Sequence, residues 1–146
     1  PAVVLFAVLV GQLAEHDRHL AVLARAVNDE DRLAARRKTV FRGGQVAIAV
    51  VTRALIDSVH ATEDDCDDIA GLPGRAEGVV VSVTIRELLD GRSKISVRSN
   101  PEVDSCAICA VYGGGGHKMA SGCTLDCGTE TAVEKILAAI DQVWPA

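Results

Sequence analysis

GVVVSVTIRELLDGRSKISVRS, residues 78–99, contains two strand-like runs separated by a turn. The first run, Gly78 to Arg86, is rich in valine and isoleucine, which is typical of a β-strand. Asp90-Gly91 has the composition of a tight turn, and Lys94 to Ser99 forms the antiparallel partner. This segment therefore predicts a β-hairpin.

Helical and strand-like patterns alternate on both sides of this hairpin. Towards the C-terminus they predict a helix over 104–111, a strand over 120–125 and a helix over 130–143. Towards the N-terminus they predict helices within 3–38, a strand over 45–52, a short helix over 53–59 and a helix over 62–71. The expected fold class is α/β, with a mixed, largely antiparallel β-sheet flanked by helices and preceded by an N-terminal helical segment.

Length and charge limit the functions that the chain can have. Its 146 residues suit one domain, or one domain with an appendage, and the 49% apolar content predicts a real core. Only four residues are aromatic, so that core must consist of Val, Ile, Leu and Ala. The formal net charge of −5 argues against a protein that holds long nucleic acid by bulk electrostatics, although it permits a local site for a short phosphorylated ligand.

The N-terminus and the cysteines indicate a cytoplasmic location. The chain begins at Pro1 rather than at an initiator Met, which suggests a fragment or a processed product. The apolar run Ala2 to Val10 is too short to span a bilayer and lacks the basic leader of a signal peptide. Five cysteines, an odd number, suit a reducing compartment better than a disulfide framework.

A run of four glycines, 113–116, leads directly into His117 and Lys118. Because each glycine in a regular element costs backbone entropy, such a run is expected where the backbone takes φ > 0 or lies very close to another group. Backbone N–H groups turned inward would form an anion nest, and His117 and Lys118 would add donors and positive charge. The run therefore predicts a phosphate cradle, with a flexible turn between a helix and a strand as the alternative. It is not a P-loop, because Met119 follows the lysine.

Arg98-Ser99-Asn100, at the end of the hairpin, is a second candidate feature. An arginine at a strand end can present its planar fork to a phosphate or carboxylate, although many such arginines are only solvated. Its position just before the helix that leads to the glycine run favours the binding role. The candidate substrate-binding residues are Arg98, Ser99, Gly113, Gly114, Gly115, Gly116, His117 and Lys118.

Two clusters allow a metal hypothesis. Cys106, Cys109, Cys123 and Cys127 could supply four thiolates to zinc, but their apolar helix and strand patterns favour packing roles. The acidic run 63–68 could bind a cation, but Thr62 before it is typical of a helix N-cap with acidic residues in the first turn.

In this order the elements resemble the C-terminal DHH-associated (DHHA) domain of the DHH phosphoesterase superfamily. The subgroup is that of oligoribonucleases and phosphoadenosine phosphate phosphatases, also called exopolyphosphatase-related proteins. The resemblance covers the chain from about Phe41 onward, and it is carried by GGGGH-x-x-A-x-G at 113–122, SVRS at 96–99 and the segment 65–79. Two positions depart from the family pattern: Ser121 replaces a usual alanine, and Gly71-Leu72 stand where the family often has asparagine and an aromatic residue.

The resemblance implies that residues 41–146 grip the substrate while a preceding DHH domain holds catalytic metal, usually Mn²⁺. Residues 1–40 would then be linker helices at the end of that DHH domain, because the chain contains no Asp-His-His motif. The implied substrate is a short oligonucleotide or a phosphorylated nucleotide, and the DHH domain of the same polypeptide is the implied partner, with a second copy of the chain as an open option. No membrane, no catalytic residue and no metal ligand are expected in this chain, which alone should be inactive.

Two rival functions remain at this point. The domain type also accompanies alanyl-tRNA synthetases and single-strand exonucleases, so a non-catalytic nucleic-acid-binding module is one alternative. A structural zinc module built on the four cysteines is the other. Few aromatic residues are available to stack on bases, and Tyr112 is the one near the glycine run.

Overall fold

A six-stranded sheet forms the centre of the computed structural model, which describes residues 40–58 and 78–145. The strands are β1 (Val40–Phe41), β2 (Val46–Val51), β3 (Val81–Glu87), β4 (Ser93–Ser99), β5 (Gly115–His117) and β6 (Ala120–Leu125). The helices are α1 (Arg53–Ser58), α2 (Ser105–Ala110) and α3 (Thr129–Val143), with a 3-10 turn at Arg42–Gly44.

The strand order is β1-β2-β3-β4-β6-β5. The β2–β3 pair is parallel and every other pair is antiparallel. The predicted fold class, a mixed and largely antiparallel sheet with flanking helices, is therefore confirmed. The helices predicted within residues 3–38 and 62–71, and the acidic run 63–68, lie outside the described residues.

The central hairpin forms as its sequence predicts. The backbone N–H of Leu88 donates to the carbonyl of Arg92 at 2.8 Å, and the N–H of Gly91 donates to the carbonyl of Leu88. Gly91 has a φ of 86°, which allows the tight turn. The Asp90 carboxylate accepts from the Arg92 backbone N–H at 3.0 Å and pairs with the Arg92 guanidinium at 2.8 Å. These contacts with Arg92 lower the pKa of Asp90.

Alternation along the strands gives the sheet an apolar face and a polar face. The apolar face includes Val81, Val83 and Ile85 of β3, which lie opposite Ser99, Val97 and Ile95 of β4. Helices α2 and α3 pack on this face, and Ile108, Ile136 and Ile140 are fully buried there. Each such side chain contributes roughly 1.5–3 kcal/mol relative to an exposed one. The core is aliphatic, as the composition predicted.

Helix α2 begins at its N-cap Asp104, whose carboxylate accepts from the backbone N–H of Ala107 at 3.2 Å. It ends at Ala110, and three residues later Gly113, with a φ of 77°, turns the chain away from the helix. This left-handed conformation is the usual way for a glycine to end a helix. The chain then enters β5, which places the glycine run at the edge of the sheet. No helix among the described residues is long and apolar enough to cross a bilayer.

Candidate functional site

Arg98 and His117 share one row across the sheet. Arg98 of β4 is directly opposite Ala120 of β6, and Ala120 is directly opposite His117 of β5. Directly opposed residues point to the same face, so the guanidinium and the imidazole project from the same side of the sheet. The residue between them contributes only a methyl group.

The face opposite helices α2 and α3 is called the polar face. On β3 to β6 it comprises Ser82, Thr84 and Arg86 of β3; Lys94, Ser96 and Arg98 of β4; Gly115 and His117 of β5; and Ala120, Gly122 and Thr124 of β6. On β2 the same side carries the buried apolar residues Ala47, Ala49 and Val51. Its β3 residues are buried, with exposed fractions of 1% for Ser82, 5% for Thr84 and 8% for Arg86. Its residues on β4, β6 and β5 are half-buried or exposed, and this accessible part is called the open strip.

Two glycines of the run cap helix α2 with their backbone donors. The N–H of Gly113 donates to the carbonyl of Ala110 at 3.1 Å, and the N–H of Gly114 donates to that of Cys109 at 2.9 Å. These donors satisfy the last carbonyls of the helix. The expected four-glycine nest is therefore corrected, because the Gly113 and Gly114 N–H groups are already engaged within the fold.

The remaining glycines form an edge strand rather than the predicted loop. Gly115 and Gly116 are directly opposite Gly122 and Ser121 of β6, and the hairpin closes through Lys118 and Met119. An edge strand keeps part of its backbone N–H and C=O groups on the outer side. This strand was not predicted from the sequence, because glycine is unfavourable in regular secondary structure.

Close packing explains two of the glycines. A Cβ on Gly114 would lie 2.3 Å from the carbonyl oxygen of Gly122 and 2.5 Å from the Cβ of Cys123. Gly116, at φ 147°, would place a Cβ 2.7 Å from the carbonyl oxygen of Ala120. The predicted requirements for φ > 0 and for close approach are thus confirmed at different positions of the run.

Gly115 differs from its neighbours, because a Cβ built there meets no atom within 4 Å. Its register with Gly122 places that empty space on the polar face, beside the row of Arg98 and His117. The absence of a side chain at Gly115 therefore keeps the surface open rather than solving a packing problem.

Ser99 does not join Arg98, because consecutive residues of a strand point to opposite faces. Its hydroxyl is within donor reach of the Val103 carbonyl at 2.7 Å and of the Lys118 carbonyl at 3.2 Å. Lys118 itself occupies the exposed β5–β6 turn, and its carbonyl also accepts from the Ser105 N–H at 2.7 Å. The structure thus gives Ser99 a role in holding the turn.

Two further serines hold the hairpin that presents His117, and the sequence argument did not identify them as supports. The Ser105 hydroxyl donates to the His117 carbonyl at 3.0 Å. The buried Ser121 hydroxyl lies 2.6 Å from the Ser105 carbonyl and 3.1 Å from the Cys109 sulfur. Hydrogen bonds of this kind fix the position of a site residue through its backbone. Ser121 stands where the family usually has alanine, and its hydroxyl makes these two local contacts.

Cys109 and Cys123 form a buried thiol pair beneath this hairpin. Donation from the Cys123 thiol lowers the pKa of Cys109 to about 7; the Ser121 hydroxyl and the charge of Arg98 act in the same direction, and burial opposes them. The same hydrogen bond, together with burial, raises the pKa of Cys123. Cys109 therefore ionises before Cys123.

The zinc hypothesis is not supported by this arrangement. In the described part of the chain no three His, Cys, Asp or Glu side chains come together in a way that could hold a metal ion. Cys109 and Cys123 meet within the core, whereas Cys106 and Cys127 are only half-buried. The two buried cysteines act as small packing residues.

Tyr112 faces the helix side of the sheet rather than the open strip. Its hydroxyl donates to the Lys135 carbonyl of α3 at 2.8 Å, and its ring packs against the apolar core. It is therefore not placed to stack on a base bound at the polar face.

Ser82 is a residue of the polar face that the sequence argument did not consider. Its side chain lies opposite Arg98 and is 1% exposed, and its hydroxyl has no hydrogen-bond partner among the described residues. The signal was present in the sequence, because Ser82, Thr84 and Arg86 alternate with the apolar residues of β3.

Comparison with known proteins agrees with this architecture. Residues 43–144 match the model of the DHHA1 domain family. The bifunctional oligoribonuclease and PAP phosphatase NrnA of Thermus thermophilus is 39% identical over 119 residues, which cover 75% of this chain and 36% of that protein. The chain thus spans about a third of the length of this curated relative.

Solved structures have a similar fold. An exopolyphosphatase-related protein from Bacteroides fragilis matches with a TM-score of 0.71 at 22% identity, over 86% of this chain and 35% of that one. The pGpG-specific phosphodiesterase PggH of Vibrio cholerae matches with a TM-score of 0.51 at 14% identity, over 86% of this chain and 39% of that one. At these identities the likeness concerns the fold alone. From the match over residues 43–144, the chain belongs to the DHHA1 domain family.

Proposed function

We propose that this domain binds the phosphate groups of short oligonucleotides or phosphorylated nucleotides on behalf of a DHH phosphoesterase. The observation that supports the proposal is the row shared by Arg98 and His117 on the polar face, with only Ala120 between them. Two strand spacings separate their Cα atoms by about 9–10 Å, so long side chains can converge on one anion from both sides. Arg98 and His117 thereby form a bracket of hydrogen-bond donors on a chain with a net charge of −5.

The chemistry of the bracket suits a phosphate. The planar guanidinium of Arg98 can donate two parallel hydrogen bonds to phosphate oxygens, and the His117 ring adds a third donor. One Arg98 N–H already donates to the Val97 carbonyl at 3.1 Å, which holds the side chain against the strand. A substrate held in this way is positioned for a reaction at a neighbouring bond, which lowers the entropic part of the barrier.

Hydrolysis itself is assigned to a DHH domain of the same polypeptide, with Mn²⁺ as its metal. The residues described here do not fit that metal, because none of their His, Cys, Asp or Glu side chains form a group of three or more that could hold one. The role of this chain is to bind and orient the substrate. One relative, named as a bifunctional oligoribonuclease and PAP phosphatase, favours phosphoester hydrolysis as the activity of the whole protein.

Titration of the full chain with adenosine 5′-monophosphate and with adenosine tests the phosphate site. We expect the monophosphate to bind measurably more tightly, and His117→Ala to remove most of that difference. Lys118→Ala, at the exposed turn beside it, is the matched comparison and should have a smaller effect. Equal binding of nucleotide and nucleoside would overturn the proposal.

A second experiment separates the enzyme from a non-catalytic nucleic-acid-binding module. The parent polypeptide, with its DHH domain and Mn²⁺, is incubated with a short 5′-phosphorylated RNA. We expect release of mononucleotides. Binding of that RNA without hydrolysis would favour the non-catalytic alternative.

A further inference from the structure

Cys109 and Cys123 belong to different elements and meet beneath the β5–β6 hairpin. Cys109, on α2, is 0% exposed, and Cys123, on β6, is 8% exposed. Cys123 is directly opposite the core residue Ile95 of β4, so its side chain points to the helix side of the sheet. The two thiols share a hydrogen bond in which Cys123 is the donor. Helix and strand therefore present their sulfur atoms to each other.

Contacts on either side hold the two cysteines close together. The N–H of Gly114 donates to the carbonyl of Cys109 at 2.9 Å, and a Cβ on Gly114 would be 2.5 Å from the Cβ of Cys123. The hydroxyl of Ser121, two residues before Cys123 on the same face of β6, is 3.1 Å from the Cys109 sulfur. A disulfide needs Cβ atoms about 3.5–4.5 Å apart, so a small movement of these thiols is sufficient to form one.

The segment between the two cysteines is the hairpin that presents His117. Residues 109–123 include the whole glycine run, His117 and the β5–β6 turn. A bond between Cys109 and Cys123 would therefore close a loop around the hairpin. Closure of a loop reduces the conformational freedom of the unfolded chain, and this stabilises the folded one. In the thiol form the hairpin is held by serine hydrogen bonds instead.

The two thiols differ in reactivity. The thiolate rather than the thiol is the nucleophile towards oxidants. Cys109 ionises first, because Cys123 donates a hydrogen bond to it and because the Ser121 hydroxyl and the charge of Arg98 also lower its pKa. Cys123 keeps its proton, because the same hydrogen bond and burial raise its pKa. The arrangement is that of an attacking cysteine beside a resolving cysteine.

We propose that Cys109 and Cys123 are a redox-sensitive pair, which a peroxide converts into a disulfide that cross-links α2 to β6 around the glycine hairpin. The Cys109 thiolate attacks one peroxide oxygen; an S–O bond forms, the O–O bond breaks and hydroxide leaves. The Cys123 sulfur then attacks the Cys109 sulfur; the S–S bond forms, the S–O bond breaks, and the Cys123 proton leaves with that oxygen as water. The two sulfurs lose two electrons, which the peroxide gains.

Oxidation of the full chain with hydrogen peroxide, followed by peptide mass mapping, tests the bond. We expect a loss of two hydrogen atoms and a cross-linked peptide that contains Cys109 and Cys123. The triple variant Cys66→Ser, Cys106→Ser, Cys127→Ser keeps only this pair and should be oxidised like the wild type. When Cys123→Ser is added to the triple variant, the reaction should stop at a sulfenic acid on Cys109, which a dimedone probe labels.

The cross-linked hairpin should differ measurably from the reduced one. The Tm of the oxidised chain should be about 5–15 °C higher than that of the reduced chain and should return to its original value with dithiothreitol. Amide hydrogen exchange over residues 113–122 should be slower after oxidation. Exchange in the turn of the β3–β4 hairpin, residues 88–92, is the internal control and should change little.

Each readout can contradict the inference. Thiols that stay unreacted in the folded chain, a disulfide between any other two cysteines, or a Cys109 that is oxidised to sulfinic acid without bridging would each overturn it. A bond between Cys109 and Cys123 that leaves the Tm and the exchange rates unchanged would also overturn the cross-linking role. None of these measurements uses a phosphate ligand, so their failure leaves the proposed phosphate site untouched. If the triple variant does not fold, the peptide map of the wild type still decides which cysteines are joined.

Discussion

Arg98 and His117 lie in the same cross-strand row and on the same face of the sheet, separated by Ala120 alone. They reach this position by different routes, since Arg98 belongs to the central β4 and His117 to the edge strand β5. The β5–β6 hairpin that brings them together depends on glycines that permit close approach and on serine hydroxyls that fix its turn. The site is therefore a property of the hairpin register.

Arg98→Ala should weaken binding of a phosphorylated nucleotide about tenfold or more, because a charge-assisted hydrogen bond contributes roughly 1.5–3 kcal/mol. The side chain is half-buried on the polar face and is not part of the apolar core, so the Tm should change little. Isothermal titration calorimetry measures the affinity, and thermal unfolding measures the fold. Arg92→Ala, at the tip of the β3–β4 hairpin, removes an exposed arginine far from the row and is the control. An unchanged affinity in Arg98→Ala would remove this residue from the site.

Ser99→Ala should lower stability without a comparable loss of phosphate affinity. Its hydroxyl contacts the Val103 and Lys118 carbonyls on the face away from Arg98, and a typical net hydrogen bond contributes about 0.5–1.5 kcal/mol. Ser96→Ala, on the same strand but on the polar face, is the matched variant for stability and should keep a Tm near that of the wild type. Chemical denaturation and nucleotide titration distinguish the two effects. A large affinity loss in Ser99→Ala at unchanged stability would restore Ser99 to the binding residues.

Ionisation of Cys109 should make stability depend on pH. Donation from Cys123 lowers the pKa of Cys109 to about 7 in the folded chain. An unfolded cysteine has a pKa of about 8.5. Because the folded value is the lower one, this contribution is fully present above about pH 8.5 and is lost as the pH falls through about 7.

The free energy of unfolding, measured by denaturant titration, should therefore rise between about pH 7 and 8.5 in the wild type. Cys109→Ser should lose this rise. Cys106→Ser, a half-buried position on the same helix, should keep it. An identical pH dependence in the wild type and in Cys109→Ser would show that this thiol does not ionise in the range.

The sequence was sufficient for most elements of the described fold. Strand β6 was predicted with its observed bounds, and β4 and α3 differ from prediction by a single residue at the N-terminal end. These elements have strong periodicity or β-branched runs and clear turns, such as Gly91 with its positive φ. Local sequence carries this information, so no tertiary contact was needed to find them.

The structure of the glycine run could not be predicted from local sequence in the same way. Its last two glycines enter strand β5 because they pair with Gly122 and Ser121, a contact that exists only after β6 has folded beside them. The roles of Gly113 and Gly114 as helix caps likewise depend on carbonyls of α2. The shared row of Arg98 and His117 follows from strand order and register, which a single sequence does not specify.

The isolated chain should not hydrolyse phosphoesters, even when Mn²⁺ is added. Among the residues that the structure describes, no three metal-ligating side chains are close enough to hold an ion. Incubation of highly purified chain with a short RNA, followed by chromatography of the products, should show intact substrate. Metal-dependent cleavage that follows the chain through purification and disappears in Arg98→Ala would contradict this expectation.

The glycines of the run should respond differently to substitution, and the difference distinguishes a binding surface from a structural turn. Gly114→Ala should destabilise the fold, because its Cβ would be 2.3 Å from the Gly122 carbonyl oxygen and 2.5 Å from Cys123. Its loss of binding would then accompany a lower Tm. This variant shows what purely structural damage to the hairpin looks like.

Gly115→Val should keep the Tm and lose phosphate binding. A Cβ at this position meets no atom within 4 Å, and a β-branched residue is well suited to a strand. Its side chain would stand on the polar face, directly opposite Gly122 and beside the row of Arg98 and His117, where it occupies the space of a bound ligand. Thermal unfolding and titration with a 5′-phosphorylated dinucleotide test both halves of this expectation. Wild-type affinity in Gly115→Val would show that the ligand does not lie on this part of the sheet, whereas a lowered Tm would show that this glycine is structural after all.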